Sequence, residues 1–163
     1  RWYKAFSDNF DEVRQPEEGD FLLATADAII AAQNAVVAAE SFGIGSCYIG
    51  DITENFEIHR DILNLPDYVV PACMLCLGYP TEGQIKRQKP VRFELSDIVH
   101  ENGYSLDKAD RMDEMLMKKQ GYSDKDSYLH WLNNFCNRKW NSDFSVEMSR
   151  SVRQMIKYFC KKD

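Results

Sequence analysis

DFLLATADAIIAAQNAVVAAESFGIGSCYIG, residues 20–50, is the stretch whose reading decides the fold. Within residues 20–42, Ala24, Ala28, Ala31, Ala32, Ala35, Ala38 and Ala39 mix with Ile29, Ile30, Val36 and Val37. Asp20 or Thr25 suits an N-cap, and Gly43 suits the left-handed stop position. The pattern predicts a helix that is apolar nearly all round, which marks a buried helix. Its small side chains permit close approach by a second helix. Gly43-Ile44-Gly45-Ser46 then predicts a tight turn, and residues 47–50 a short strand that ends on glycine.

Downstream, Thr53 suits the cap of a short helix running to about Asn64, stopped by Leu65-Pro66-Asp67. Residues 68–79 hold Val69, Val70, Cys73, Met74, Leu75, Cys76 and Leu77, a near-continuous apolar run that predicts a strand covered on both faces. Pro71 has no N–H to give to a ladder, so it marks a strand start or an unpaired position. Residues 80–104 read as a long loop carrying Lys86, Arg87, Lys89 and Arg92. Three helices follow, at about 106–119, 125–139 and 143–160. Their cap candidates are Ser105, then Ser123 or Asp124, then Ser142 or Ser145, and Gly121 is a stop. Met148, Val152, Met155, Ile156 and Phe159 form a stripe on the last. Upstream, Trp2, Tyr3 and Phe6 predict an aromatic anchor followed by a polar loop. Only two strands emerge, and a stable sheet needs about three or more. The remaining strands are expected from other sequence or from a partner chain.

Composition bounds the function. The 163 residues are 44% hydrophobic and 28% charged, enough for a packed core and unlike a disordered tail. The net charge of −6 argues against general nucleic-acid binding, which rewards clustered cations. Residues 1–100 carry 16 acidic and 8 basic side chains, and residues 101–163 carry 10 and 12, so the C-terminal excess reads as solvated helix faces. Five cysteines, an odd number set mostly among apolar residues, favour reduced thiols and a cytoplasmic setting. Polar residues interrupt every apolar run of about 18, so no membrane span is expected. No basic, apolar, small-residue pattern opens the sequence, so no signal peptide is expected in it.

Few motifs carry chemistry by themselves. Cys73-Met-Leu-Cys76 lacks the second ligand pair that a zinc site needs, and positions three apart on a strand face opposite ways, so both read as core cysteines. His59, His100 and His130 have no ligand spacing, and no metal site is expected. The P-loop, nucleophile-elbow and dinucleotide fingerprints are absent. Asp107, Asp110, Asp113 and Glu114 read as a solvated face. Lys89-Pro90-Val91-Arg92 sets two cations on a stiff turn, either a solvated loop or an anion clamp. Gly50 either eases a turn or lets backbone approach a planar ligand.

Taken in order, these pieces resemble the FMN-dependent nitroreductase family, NAD(P)H-dependent nitroreductases and flavin reductases. Residues 31–50 resemble its central helix and following strand. Leu63-Asn-Leu-Pro-Asp-Tyr-Val-Val-Pro71 and Leu77-Gly-Tyr-Pro80 look like the next strand. Lys89-Pro-Val-Arg-Phe93 is similar to its Lys-Pro-Arg phosphate element, with Val91 inserted. Ile98-Val-His-Glu-Asn-Gly-Tyr104 looks like the tail of its flavin-reductase branch. The Arg-Ser-x-Arg-like segment that opens the family has no counterpart here; Arg1-Trp-Tyr looks like the end of the region after it.

The resemblance implies an α/β (α+β) fold, a mainly antiparallel sheet flanked by helices. Residues 1–104 would be the C-terminal part of a flavin-binding domain, and residues 105–163 a helical extension packed on it. It implies an oxidoreductase in which NAD(P)H, the co-substrate, gives hydride to FMN, and a nitroaromatic, quinone or flavin takes the electrons. It also implies a cytoplasmic homodimer whose other partner is a small-molecule electron acceptor, with no nucleic acid and no membrane. Tyr48, Ile49 and Gly50 would border the isoalloxazine, and Lys89 and Arg92 would hold the phosphate; no catalytic acid or base is implied. With the opening segment missing, these 163 residues alone are expected to fall short of a competent flavoenzyme. The competing class is a non-catalytic binding or structural module derived from the same fold. A thiol redox protein using Cys73 and Cys76 is a weaker third.

Overall fold

The computed structural model describes residues 2–161, apart from the side chain of Ala109; Arg1 of the opening Arg1-Trp-Tyr lies outside the described residues. The chain divides into two units. The first comprises Arg1–Ile85 and Asp143–Asp163, and the second Lys86–Ser142. The last helix belongs to the first unit.

The first unit opens with α1 (Trp2–Ser7) and a loop, then α2 (Glu18–Ser41). The cap of α2 falls three residues earlier than Asp20. Asp20 instead reaches back from the first turn, its carboxylate accepting from the Glu17 N–H at 2.9 Å and from the Arg14 guanidinium. Gly43, with φ +72°, supplies the left-handed residue that ends the helix. Strand β1 (Gly45–Ile49) pairs antiparallel with β2 (Met74–Gly78), in a register that sets Gly45 opposite Gly78 and Ile49 opposite Met74. A 3₁₀ turn (Asp51–Thr53) and α3 (Phe56–Ile62) lie between the strands. Thr53 does not cap α3; its hydroxyl donates to the Gly50 carbonyl at 2.8 Å.

Three expectations change here. The strand expected over residues 68–79 pairs only from Met74. Residues 69–73 lie outside the ladder, with Pro71 among them and unable to donate a ladder hydrogen bond. Nor is β2 covered on both faces, since Met74, Cys76 and Leu77 are exposed. Cys76 is accordingly exposed and Cys73 half-buried, so neither is a core cysteine in this chain. Thirdly, α2 is not buried: Ala39 alone of its residues is, and Leu22, Leu23, Ile30 and Val37 are each about 60–70% exposed. A helix apolar all round needs neighbours on every side, and this chain packs β1 and the last helix, α9 (Asp143–Cys160), against it. With 24 residues and an 18-residue stretch of mean hydropathy 1.6, α2 is long and apolar enough to cross a membrane by length and composition, its few polar residues notwithstanding.

Helix α9 (Asp143–Cys160) closes this unit, and its stripe falls as the spacing predicts, with Met155 buried and Phe159 edge-on to Phe21. The Ser142 hydroxyl is buried without a hydrogen-bond partner, so it is not the cap. Arg150 joins α9 to α3. Its Nη1 and Nη2 donate to the two carboxylate oxygens of Glu57, each at 2.8 Å, while its Nε donates to Glu147 at 2.8 Å. Glu147 also accepts from the Ser151 hydroxyl at 2.8 Å and the Asn55 N–H at 3.0 Å, and the fully buried Ser151 accepts from the Phe56 N–H at 3.1 Å. Asn55 is left-handed, φ +46°, so the turn into α3 is held by side chains of α9.

In the second unit, residues 80–104 are less of a loop than expected. They contribute α4 (Glu82–Lys86), which spans the junction, and α5 (Leu95–Ile98). The first of the three expected helices is broken at Arg111 into α6 (Leu106–Asp110) and α7 (Met112–Gln120). Gly121, φ +77°, ends α7, and Asp124 caps α8 (Lys125–Lys139) by accepting from the Ser127 N–H at 2.8 Å. The centre is Tyr128, fully buried, whose hydroxyl donates to Asp113 at 2.7 Å. Burial, then the neighbouring carboxylate, pushes that phenol up to about 12. Asp113 is therefore a structural acceptor and not only part of a solvated face.

Ser151→Ala removes the acceptor of the buried Phe56 N–H and is expected to destabilise the protein by about 1–3 kcal/mol, read from urea or thermal unfolding; unchanged stability would contradict the network. Arg150, then Ser151, hold the Glu147 carboxyl at about 2, against its ordinary 4.5. A depressed carboxylate stabilises above its unfolded value and loses that contribution as pH falls toward the folded one. Stability is expected to decline between about pH 4.5 and pH 2, and Glu147→Gln should flatten that limb in acid-unfolding curves.

Candidate functional site

Tyr48, Ile49 and Gly50 stand at the end of β1, in the first unit. The position follows from sequence: β1 stops where Gly50 turns the chain into the 3₁₀ turn. The exposed Tyr48 is anchored to α2, its hydroxyl donating to Gln33 Oε1 at 3.4 Å. Ile49 is half-buried opposite Met74. Gly50 has φ −77° and ψ −24°, a conformation any residue adopts, and a Cβ added there would meet nothing within 4 Å. Neither backbone strain nor packing within this chain requires glycine at 50, and the space beside its backbone is open.

Lys89 and Arg92 belong to the second unit, on the irregular segment between α4 and α5. Both are exposed, and among the described residues neither forms a side-chain hydrogen bond or an ion pair. The five residues named from sequence thus occur as two groups, three at a strand end and two cations beside Pro90.

The structure adds a feature that sequence reading did not name as a site. A cavity of about 410 Å³ in the first unit is walled by Trp2, Tyr3, Phe6, Tyr68 and Phe159, with Arg14 and Asp20 at its polar side. The aromatic anchor seen in sequence was its only signal; Tyr68 and Phe159 come from distant segments, with Tyr3 and Tyr68 edge-on at 4.8 Å. Arg14, and then the Glu17 N–H, hold Asp20 at about 2, so that carboxylate stays ionised at neutral pH. In the second unit, Tyr122, Trp131 and Asn134 line a shallow groove with His130, whose Nε2 lies 3.0 Å from the Asn134 amide. No group of three or more metal-ligating side chains occurs among the described residues.

Comparison with known proteins places this architecture. Residues 8–79, which contain α2, β1 and β2, match the Nitroreductase family. An oxygen-insensitive NADPH nitroreductase of Salmonella typhimurium is 32% identical over 136 residues, 83% of this chain and 53% of the relative. An FMN reductase (NADPH) of Bacillus subtilis is 38% identical over 90 residues, 55% of this chain and 35% of the relative. A solved oxidoreductase structure from Bacteroides fragilis superposes over 99% of this chain and 66% of its own, with a TM-score of 0.74 at 21% identity, a likeness of fold. The fold class is α+β with a small antiparallel sheet, as expected from sequence. Over residues 8–79 the chain is similar to the nitroreductase family, and it spans about half the length of the first curated relative it matches.

Proposed function

We propose that this chain serves an FMN-dependent oxidoreductase that takes reducing equivalents from NAD(P)H and passes them to a nitroaromatic, quinone or flavin acceptor. The observation that carries the proposal is the family match over residues 8–79, together with relatives named as an NADPH nitroreductase and an FMN reductase. When bound, FMN supplies the hydride chemistry, and the protein's share is binding, orientation and electrostatics. The residues present fit that share. The open space beside the Gly50 backbone leaves room for a planar ring to approach, and half-buried Ile49 offers it an apolar edge. Tyr48, tied to Gln33, fixes the strand end relative to α2. Lys89 and Arg92, unpaired among the described residues and separated by two residues, suit a phosphate, one as a point charge and the other as a two-pronged donor. No side-chain acid or base is assigned.

The same reading includes a homodimer. The exposed Leu22, Leu23, Ile29, Ile30 and Val37 of α2 leave a long apolar face that a second copy would cover. Packing of β1 and α9 on the same helix supports an interface role over a lipid-spanning one. Absence of disulfides among the described residues suits a cytoplasmic protein, and the acidic net charge suits one without nucleic-acid partners.

Lys89→Ala is expected to weaken FMN binding about 10-fold or more, measured by fluorescence titration of the holoprotein, since a charge-assisted contact contributes about 1.5–3 kcal/mol. Unchanged affinity at moderate salt would reject the assignment, and a protein that never takes up FMN would favour the non-catalytic module. Ala35 is exposed on α2, so Ala35→Arg should leave the fold intact and convert dimer to monomer in light-scattering measurements; a variant that stays dimeric would place the interface elsewhere.

A further inference from the structure

The β1–β2 register sets Cys47 directly opposite Cys76. Residues so paired on an antiparallel ladder project to the same face. Their Cα atoms lie about 5.5 Å apart in a hydrogen-bonded pair and about 4.5 Å apart in a non-hydrogen-bonded one. Both separations fall in the roughly 4.4–6.8 Å range that a disulfide spans. Both cysteines are exposed free thiols. On one side their neighbours across the ladder are Gly45 and Gly78, which carry no side chain to stand between the sulfurs. The other cysteines differ. Cys73 precedes β2 and has no ladder partner, Cys136 belongs to the second unit, and Cys160 is buried on α9.

We propose that Cys47 and Cys76 form a two-thiol oxidation site, closing to an intramolecular disulfide when the protein meets a peroxide or a small-molecule disulfide. With hydrogen peroxide, the thiolate of one cysteine attacks an oxygen, the O–O bond breaks and hydroxide departs, leaving a sulfenic acid. The second cysteine's sulfur attacks the sulfenic sulfur; the S–S bond forms, the S–O bond breaks and water leaves. Two thiols give up two electrons and two protons, and one peroxide becomes two waters. With a small-molecule disulfide, two successive exchanges release two small thiols and leave the same bridge. A dithiol reverses the step. The bridge ties β1 to β2 covalently, in addition to the ladder that pairs them.

The test treats the reduced full chain with hydrogen peroxide and, separately, with glutathione disulfide. Remaining thiols are then alkylated under denaturing conditions, and intact mass and peptide maps are read. The expected result is loss of two of the five thiols, a single cross-linked peptide joining Cys47 to Cys76, and full recovery with dithiothreitol. Cys47→Ser or Cys76→Ser should abolish the two-thiol loss, and Cys73→Ser should leave it. Retention of all five thiols, an uncondensed sulfenic or sulfinic acid as the end product, a Cys73–Cys76 link, or a covalent dimer would each overturn the proposal. The peptide map of the parent chain decides the matter even if a serine variant fails to fold.

Discussion

Arg150 is the residue on which the first unit depends. Its guanidinium meets Glu57 with two nitrogens and Glu147 with a third, so one side chain fixes α9 against α3 in both position and rotation. The ion pairs are partly solvated, with about 41% of the Arg150 side chain exposed, so their Coulombic contribution is modest. What the arrangement secures lies beneath it, at Ser151. That hydroxyl is fully buried, and it satisfies the Phe56 N–H at the start of α3 while donating to the carboxylate that Arg150 orients. Misplacing Arg150 therefore exposes two otherwise costly features, a buried amide without a partner and a left-handed Asn55 without a brace. The segment after β1 is thus positioned by a helix more than 90 residues away in sequence.

Helix α2 poses the opposite problem, a surplus of apolar surface with too few neighbours. Its sequence is that of a core helix, and its surroundings in this chain are those of a surface one. The sheet beside it repeats the mismatch, with two strands where a stable sheet needs about three. Both deficits call for more protein on the same side of the argument: further strands beside β1 or β2, and a cover for Leu22, Leu23, Ile30 and Val37. A chain spanning about half of its first curated relative fits both deficits together.

Where local chemistry governs, the sequence was legible. Gly43 and Gly121 end helices because they alone take the positive φ cheaply, and Asp124 caps α8 because its short carboxylate reaches the Ser127 N–H. The α9 stripe appears because a 3.6-residue period survives any neighbour that covers it. Where the answer depends on distant segments, the reading failed. Nothing near Ser151 in sequence says that Phe56 lies above it, and nothing near residue 3 says that Tyr68 and Phe159 complete an aromatic cavity. Burial failed for a related reason. Apolar runs report how a residue is covered in the finished assembly, and α2 and β2 are covered in this chain only in part.

The candidate site divides along the same line. Gly50 was legible as a special position, but its conformation is ordinary, and the open space beside its backbone is shared with Gly78 and Gly103. Lys89 and Arg92 were legible as cations on a stiff segment. Their lack of partners among the described residues is what separates them from Lys118, which pairs with Glu94 at 3.5 Å, and from Arg14, which is committed to Asp20. An exposed cation with no carboxylate near it keeps its full capacity for an anion, whereas a paired one must first be released. That difference in commitment, visible only once the chain is folded, is the physical ground for choosing those two cations over these.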